Sequence, residues 1–200
     1  MTDDSINAGR RRFLVGSTSA LGAVGVVGAA VPFVGSWNPS AKARAAGAPV
    51  RIDISRLQEG EILGPIPAWR GKPVFIVKRT EDALGALSTM TDRLTDPASE
   101  KPEQPVYAQN EYRSLRPEIL VLVGLCPHLF CSPTPHIELR AQPFDADWNG
   151  GFFCPCHGSR FDLAGRVYSG SPASRNMLVP PHSYESDDIL VIGIDEESAA

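Results

Sequence analysis

The chain lacks an excess of basic residues, and it has little cysteine or histidine. Its 200 residues carry a formal net charge of −4, which provides no basic surface for binding nucleic acid. Glycine and proline, by contrast, number 18 each, which favours many turns and short strands over a helical bundle. The length and a hydrophobic content of 42% fit one globular domain plus an appendage.

The four cysteines and two of the four histidines are concentrated in two short stretches. These are Cys126–Cys131 (CPHLFC) and Cys154–Ser159 (CPCHGS), which contain His128 and His157. Thiolate and imidazole in this combination suit zinc or iron. The residues alone therefore leave two metal centres open: a structural zinc site, and an iron–sulfur cluster in which two histidines replace two cysteines on one iron.

Several features of the two stretches favour the cluster. A zinc site closed by four ligands does not need the two further cysteines, whereas an exported domain permits a disulfide. Gly158 allows close approach of the backbone, and the hydroxyl of Ser159 can donate a hydrogen bond to a sulfide. The pattern also resembles the Rieske family, in which the two stretches read CTHLGC and CPCHGS.

An uncharged run near the N-terminus predicts one membrane helix. Residues 13–34 follow three arginines, and as a helix they would be roughly 33 Å long, enough to cross a hydrocarbon core of about 30 Å. The arginines predict a cytoplasmic N-terminus, and Arg10–Leu14 resembles a twin-arginine export signal. A signal peptide cleaved near Ala43–Ala45 is the alternative, which the length of the run disfavours.

The chain is therefore divided into a cytoplasmic segment (1–12), a transmembrane anchor (13–35), a tether (36–49) and a head (50–200). The tether is short and rich in small residues and proline, which is typical of a passive spacer and of a hinge alike. The predicted fold class is mainly β: the anchor helix is followed by an antiparallel β head, whose two Cys/His loops form a cluster-binding subdomain.

Apolar or alternating runs within the head predict its strands. A short helix is predicted with Thr80 as its N-cap, with Leu84, Leu87 and Leu94 along one side. Residues 95–118 are rich in proline and are predicted to form a loop. The predicted strands are 50–57, 73–78, 119–125 and 189–194.

Nearly the whole chain resembles the Rieske iron–sulfur subunits of proteobacterial ubiquinol–cytochrome c reductases, the cytochrome bc complexes. The resemblance implies one [2Fe–2S] cluster. Carried over by position, Cys126 and Cys154 would bind one iron, and His128 and His157 would bind the other. A second set of residues would support the cluster: a Cys131–Cys156 disulfide, the hydroxyl of Ser159 and the backbone N–H of Leu129.

The same resemblance implies electron transfer from ubiquinol to a c-type cytochrome within a proton-translocating respiratory complex. His157, together with His128, would contact the quinol. The implied partners are a cytochrome b subunit and a c-type cytochrome subunit in a dimeric complex, with the head on the periplasmic side of a bacterial inner membrane. The alternatives are an exported Rieske subunit of the arsenite-oxidase type and a structural zinc module.

Three residues depart from the family pattern. Pro127 replaces the usual threonine, Phe130 the usual glycine and Phe161 the usual tyrosine. Phe130 requires either a different loop path or tolerated strain, while the loss of a hydroxyl at Phe161 is expected to lower the potential of the cluster. The remaining histidines, His136 and His182, are predicted to be ordinary surface or loop residues.

Overall fold

A computed structural model describes residues 7–194, with the backbone alone for residues 42, 45 and 46. Helix α1 (Ala8–Gly35) begins after Asn7, whose side chain accepts a hydrogen bond from the backbone N–H of Arg10 at 3.1 Å. The helix is long and apolar enough to cross a membrane. It thus contains the predicted anchor and extends it through the arginines.

A six-residue helix, α2 (Ala41–Ala46), lies within the predicted tether. The predicted boundaries at residues 12, 35 and 49 remain predictions. Residues 1–6 of the predicted cytoplasmic segment and residues 195–200 of the predicted head lie outside the described residues.

The described part of the head contains nine strands in three antiparallel sheets of three strands each. The sheet orders are β1-β9-β8, β2-β3-β4 and β5-β6-β7. The prediction of a mainly antiparallel β head is confirmed. The strands are β1 (Val50–Asp53), β2 (Glu61–Trp69), β3 (Lys72–Lys78), β4 (Ile119–Val123), β5 (Thr134–His136), β6 (Gly151–Phe153), β7 (Arg160–Asp162), β8 (His182–Tyr184) and β9 (Ile189–Ile192).

Strands β3 and β4 are buried on both faces, which explains why they are apolar without alternation. Phe75 and Val77 of β3 join one core, which also contains Leu122 of β4. Val74 and Ile76 point the other way, into a second core that is shared with the β1-β9-β8 sheet. The first core also contains two of the cysteines.

Helix α3 (Glu81–Thr89) begins as predicted, because the side chain of Thr80 accepts a hydrogen bond from the N–H of Ala83 at 3.2 Å. It ends earlier than the leucine pattern suggested: Leu94 follows a separate 3₁₀ turn, Thr91–Arg93. The predicted loop at 95–118 contains one short 3₁₀ turn, Val106–Ala108.

Three buried arginines hold this loop in place. Arg79, Arg113 and Arg166 are each at most 2% exposed, and they donate mainly to backbone carbonyls. Burial lowers the pKa of Arg79 and of Arg113 to about 10, so both remain charged at neutral pH. The carbonyl acceptors belong to Leu87, Pro97, Glu103, Tyr112, Pro117, Leu163, Ala164, Gly165 and Met177.

Arg166 also forms a buried ion pair with Asp162 at 2.7 Å. The other carboxylate oxygen of Asp162 accepts the backbone N–H groups of Ala164 and Arg166 at 2.9 and 2.8 Å. The turn that follows β7 is therefore fixed by a single carboxylate.

We predict that Asp162→Asn lowers the free energy of unfolding by roughly 3 kcal/mol, because it leaves the buried guanidinium of Arg166 without its counter-charge. Denaturant unfolding followed by near-UV circular dichroism measures the change. Asp187→Asn is the control, since Asp187 pairs with Arg116 at 3.1 Å and its side chain is 95% exposed. Equal losses in the two variants would contradict the prediction.

Candidate metal centre

The first Cys/His loop, Cys126–Cys131, lies between β4 and β5 and closes on itself. The N–H of Cys126 donates to the carbonyl of Cys131 at 2.8 Å, and the N–H of Phe130 donates to the carbonyl of Cys126 at 2.9 Å. The first residue of the loop is thereby held on both its N–H and its carbonyl side.

The second loop, Cys154–Ser159, connects β6 to β7 and repeats this pattern. The N–H of Cys154 donates to the carbonyl of Ser159 at 2.8 Å, and the N–H of Gly158 donates to the carbonyl of Cys154 at 2.9 Å. Both loops have proline in second position. The two loops therefore share one backbone frame.

The fifth position of this frame requires a positive φ angle. Gly158 occupies it in the second loop with φ 81°, and Phe130 occupies it in the first with φ 61°. Phe130 therefore carries the backbone strain that was expected as one of the two outcomes for this residue. The Phe130 ring is 70% exposed, so little packing offsets the strain.

A disulfide joins the two loops. Cys131 and Cys156 are bonded, with their Cα atoms 6.6 Å apart, which is the pairing implied by the resemblance. The sulfurs of Cys131, Cys154 and Cys156 lie within 4.8 Å of one another. Because two of these sulfurs are bonded to each other, only Cys154 of this group keeps a thiol for a metal.

The free cysteines face inward, and the histidines of the loops face outward. Cys126 and Cys154 are buried, at 0% and 2% exposure, and belong to the core of the head. His157 is exposed and His128 is half-buried. Their ring centroids are 4.8 Å apart in an edge-to-face arrangement, so both imidazoles lie at one place on the surface.

Hydrogen-bond donors surround the sulfur of Cys126. Burial raises the pKa of the Cys126 thiol, whereas hydrogen bonds from the backbone N–H of His128 and the hydroxyl of Ser159 act in the opposite direction. The Ser159 oxygen is fully buried and accepts the N–H of Ala173 at 3.0 Å. Its hydroxyl hydrogen is therefore free to point at sulfur.

A third segment, residues 171–173, supports the second loop. Besides the Ala173 contact, the hydroxyl of Ser171 accepts the N–H of Arg160 at 3.2 Å. The side chain of Arg160 donates to Asp145 at 3.0 Å, and Arg93 donates to the same carboxylate oxygen at 2.5 Å. Nothing in the sequence pattern indicated Ser171, Ala173 or Asp145, because these contacts join residues distant in the chain.

The other residues singled out from the sequence lie as follows. Phe161 is fully buried in the core that contains the free cysteines. Leu129 is 61% exposed beside Phe130, and the role expected of its backbone N–H remains a prediction. The ring of His136 is half-buried against Phe144, with 5.1 Å between centroids. His182 is a buried residue of β8 rather than a surface residue.

Two family models match the chain. Residues 1–40 match the model described as "Ubiquitinol-cytochrome C reductase Fe-S subunit TAT signal". Residues 103–183 match the model described as "Rieske [2Fe-2S] domain", a range that contains both Cys/His loops.

Curated relatives match over almost their full length. The ubiquinol-cytochrome c reductase iron-sulfur subunit of Allochromatium vinosum is 52% identical, covering 100% of this chain and 95% of that protein. The subunit of the same name from Blastochloris viridis is 40% identical over 96% of this chain and 97% of that protein. The one from Rhodospirillum rubrum is 40% identical over 92% and 91%.

The shared loop frame predicts opposite outcomes at its two fifth positions. Gly158→Ala should destabilise the head by about 1–2 kcal/mol, because alanine is strained at this φ although there is open space around the glycine. Phe130→Gly should cause no loss of stability, because relief of strain offsets the greater flexibility of glycine in the unfolded chain. Thermal unfolding compares the two, and a loss above about 1 kcal/mol in Phe130→Gly would show that its ring is packed.

Proposed function

The chain belongs to the ubiquinol-cytochrome c reductase iron-sulfur subunit family, and we propose that it transfers electrons from ubiquinol to a c-type cytochrome. The observation that carries this proposal is the pair of loops that share one backbone frame. They present two thiols to the interior and two imidazoles to the surface.

The cofactor of this family's domain is a [2Fe–2S] cluster, and the residues present fit it. We propose Cys126 and Cys154 as the ligands of one iron, and His128 and His157 as the ligands of the other. The donors around the Cys126 sulfur fit a group that carries negative charge on its sulfurs. When bound, the cluster supplies reversible one-electron transfer.

A structural zinc site with the same four ligands is the second candidate. The chemistry of two thiols and two imidazoles allows it. Family membership and the Rieske domain support the cluster instead. The names of the relatives likewise support a subunit of the quinol-oxidising complex rather than one of an arsenite-oxidase-like enzyme.

The two histidines are proposed to bind the quinol. An imidazole that binds iron through one ring nitrogen leaves the other nitrogen free, and the exposed ring of His157 would accept the hydroxyl hydrogen of ubiquinol. His128 lies against it and would act with it. The exposed side chains of Leu129 and Phe130 are positioned to exclude water from this contact.

The location follows from the anchor and its signal. A helix that could span a membrane and a twin-arginine-type signal fit a membrane-anchored, exported subunit. We propose a bacterial inner membrane, with a cytoplasmic N-terminus and a periplasmic head. The Cys131–Cys156 disulfide supports this orientation, because such bonds persist in oxidising compartments.

The proposed partners are a cytochrome b subunit and a c-type cytochrome subunit within a dimeric complex. Quinol oxidation and cytochrome reduction would take place at different partners. We propose that the head moves between them on residues 36–49, which separate the anchor from the head.

The ligand set predicts which variants lose the cluster. The dithionite-reduced chain should give a rhombic EPR signal at low temperature. Cys126→Ser and His157→Gln should abolish it, because each removes one iron ligand. A zinc site would give no signal in any variant, and metal analysis would find zinc instead.

The matched control is the double variant Cys131→Ser with Cys156→Ser. It should retain the EPR signal when freshly prepared, because the disulfide cysteines are not ligands, and lose it faster on warming. Immediate loss of the signal in this control would contradict the assigned ligand set.

Phe161→Tyr is expected to raise the midpoint potential of the cluster by several tens of millivolts. A hydroxyl that donates to a ligand sulfur stabilises the reduced, more negative form, and a hydrogen bond to a charged group contributes about 1.5 kcal/mol. Redox titration followed by EPR measures the shift. Phe152→Tyr is the control, because Phe152 is equally buried in the same core; an upward shift in both, or in neither, would contradict the prediction.

A further inference from the structure

A groove of about 260 Å³ lies at the first Cys/His loop, and Pro127 and Phe130 of that loop line it. Leu125 and Leu178 add apolar surface to its lining, and Arg175 adds a positive charge. The groove is therefore continuous with the exposed ring of Phe130 and lies beside the proposed metal centre. We call it the basic groove.

Basic side chains lie in this groove or next to its lining residues, although the chain as a whole is acidic. Lys72 lines it, and the side chain of Arg175 is 65% exposed. Lys101 donates to the carbonyl of Ser174, which also lines the groove, at 3.0 Å. Arg70 lies next to Lys72, and both cations rest on the ring of Trp69, at 4.9 and 5.2 Å from its centroid.

The acidic residue that lines the groove, Glu103, neutralises this charge only in part. One of its carboxylate oxygens lies 3.6 Å from the guanidinium of Arg175. The other, Oε2, is buried and accepts no hydrogen bond from the part of the chain that the structure describes. The side chains that line the groove therefore carry a net positive charge.

We propose that the basic groove is the docking surface for an acidic segment of the c-type cytochrome, an inference that rests on the proposed function. Carboxylates of that segment pair with Lys72 and Arg175, and an apolar side chain packs on Pro127 and Phe130. A basic segment is disfavoured, because Lys72 and Arg175 would repel it.

This arrangement suits a partner that must bind and leave quickly. Electron-transfer contacts are small, and charge complementarity mainly raises their rate of association. Pro127, which lines the groove, precedes His128 in the chain, so a partner held in the groove would have its own redox centre close to the proposed metal centre. The docking surface and the electron exit would then share one side of the head.

The test uses the complete membrane complex containing the double variant Lys72→Glu with Arg175→Glu. Stopped-flow mixing with quinol follows haem b and c-type haem reduction separately in the first turnover. Reduction of the c-type haem should slow roughly tenfold at low ionic strength, whereas that of haem b should not change. The effect should fade near 1 M salt, where the Debye length is about 3 Å.

Arg140→Glu is the matched control, since Arg140 is exposed and does not line the groove. It should change neither rate by more than twofold. Equal slowing of haem b would overturn the inference, because the groove would then contact the membrane cytochrome. Unchanged c-type haem reduction, or slowing that persists in high salt, would also overturn it. If the unaltered complex reduced no c-type haem, the proposed function itself would fail, before any variant is compared.

Zero-length carbodiimide cross-linking gives a second, independent readout. The amine of Lys72 should cross-link to a carboxylate of the c-type cytochrome, which mass spectrometry would locate. Lys72→Arg keeps the charge but removes the amine, so it should abolish the cross-link while leaving the rates unchanged. A cross-link from Lys72 to the cytochrome b subunit alone would overturn the inference.

Discussion

The positive charges of three arginines buried in the head must be stabilised by acceptors within the protein. The hydrogen bonds that provide this also hold segments of the chain next to the proposed metal centre. An uncompensated buried ion costs several kcal/mol, so each buried guanidinium needs hydrogen-bond acceptors within the protein. Arg79, Arg113 and Arg166 find most of theirs in backbone carbonyls of segments that form no sheet. These bonds hold the turn after β7, the strand that begins directly after the second Cys/His loop.

The β2-β3-β4 sheet holds the start of the first Cys/His loop. β4 is buried on both faces, and the loop begins three residues after its end. The register of the β5-β6-β7 sheet then brings the two loops to one edge, because Phe153 pairs with both Thr134 and Arg160. Gly151 is needed there, since a Cβ would lie 1.9 Å from the carbonyl oxygen of Phe161.

Those parts of the molecule whose signal is local in the chain could be predicted from the sequence. β3, β4 and α3 have such signals, and so do the two Cys/His loops, where each cysteine lies within three residues of its histidine. β2 could not be predicted, because Gly64 and Pro65 interrupt its apolar pattern, and strands of three residues are too short to show one. The contacts of Ser171 and Asp145 are tertiary, so no local pattern records them. Phe130 was recognisable as a departure, but only the fold shows that it adopts a positive φ.

The disulfide has a consequence for how a bound group is retained. It closes a ring of chain between the two loops, so a group held between them could leave only if that ring were opened or distorted. Retention is then governed by the rate at which the loops separate as well as by equilibrium affinity. When Cys131 and Cys156 are reduced, the ring is open and the bound group can exchange. When they are oxidised, the disulfide slows the loss of that group.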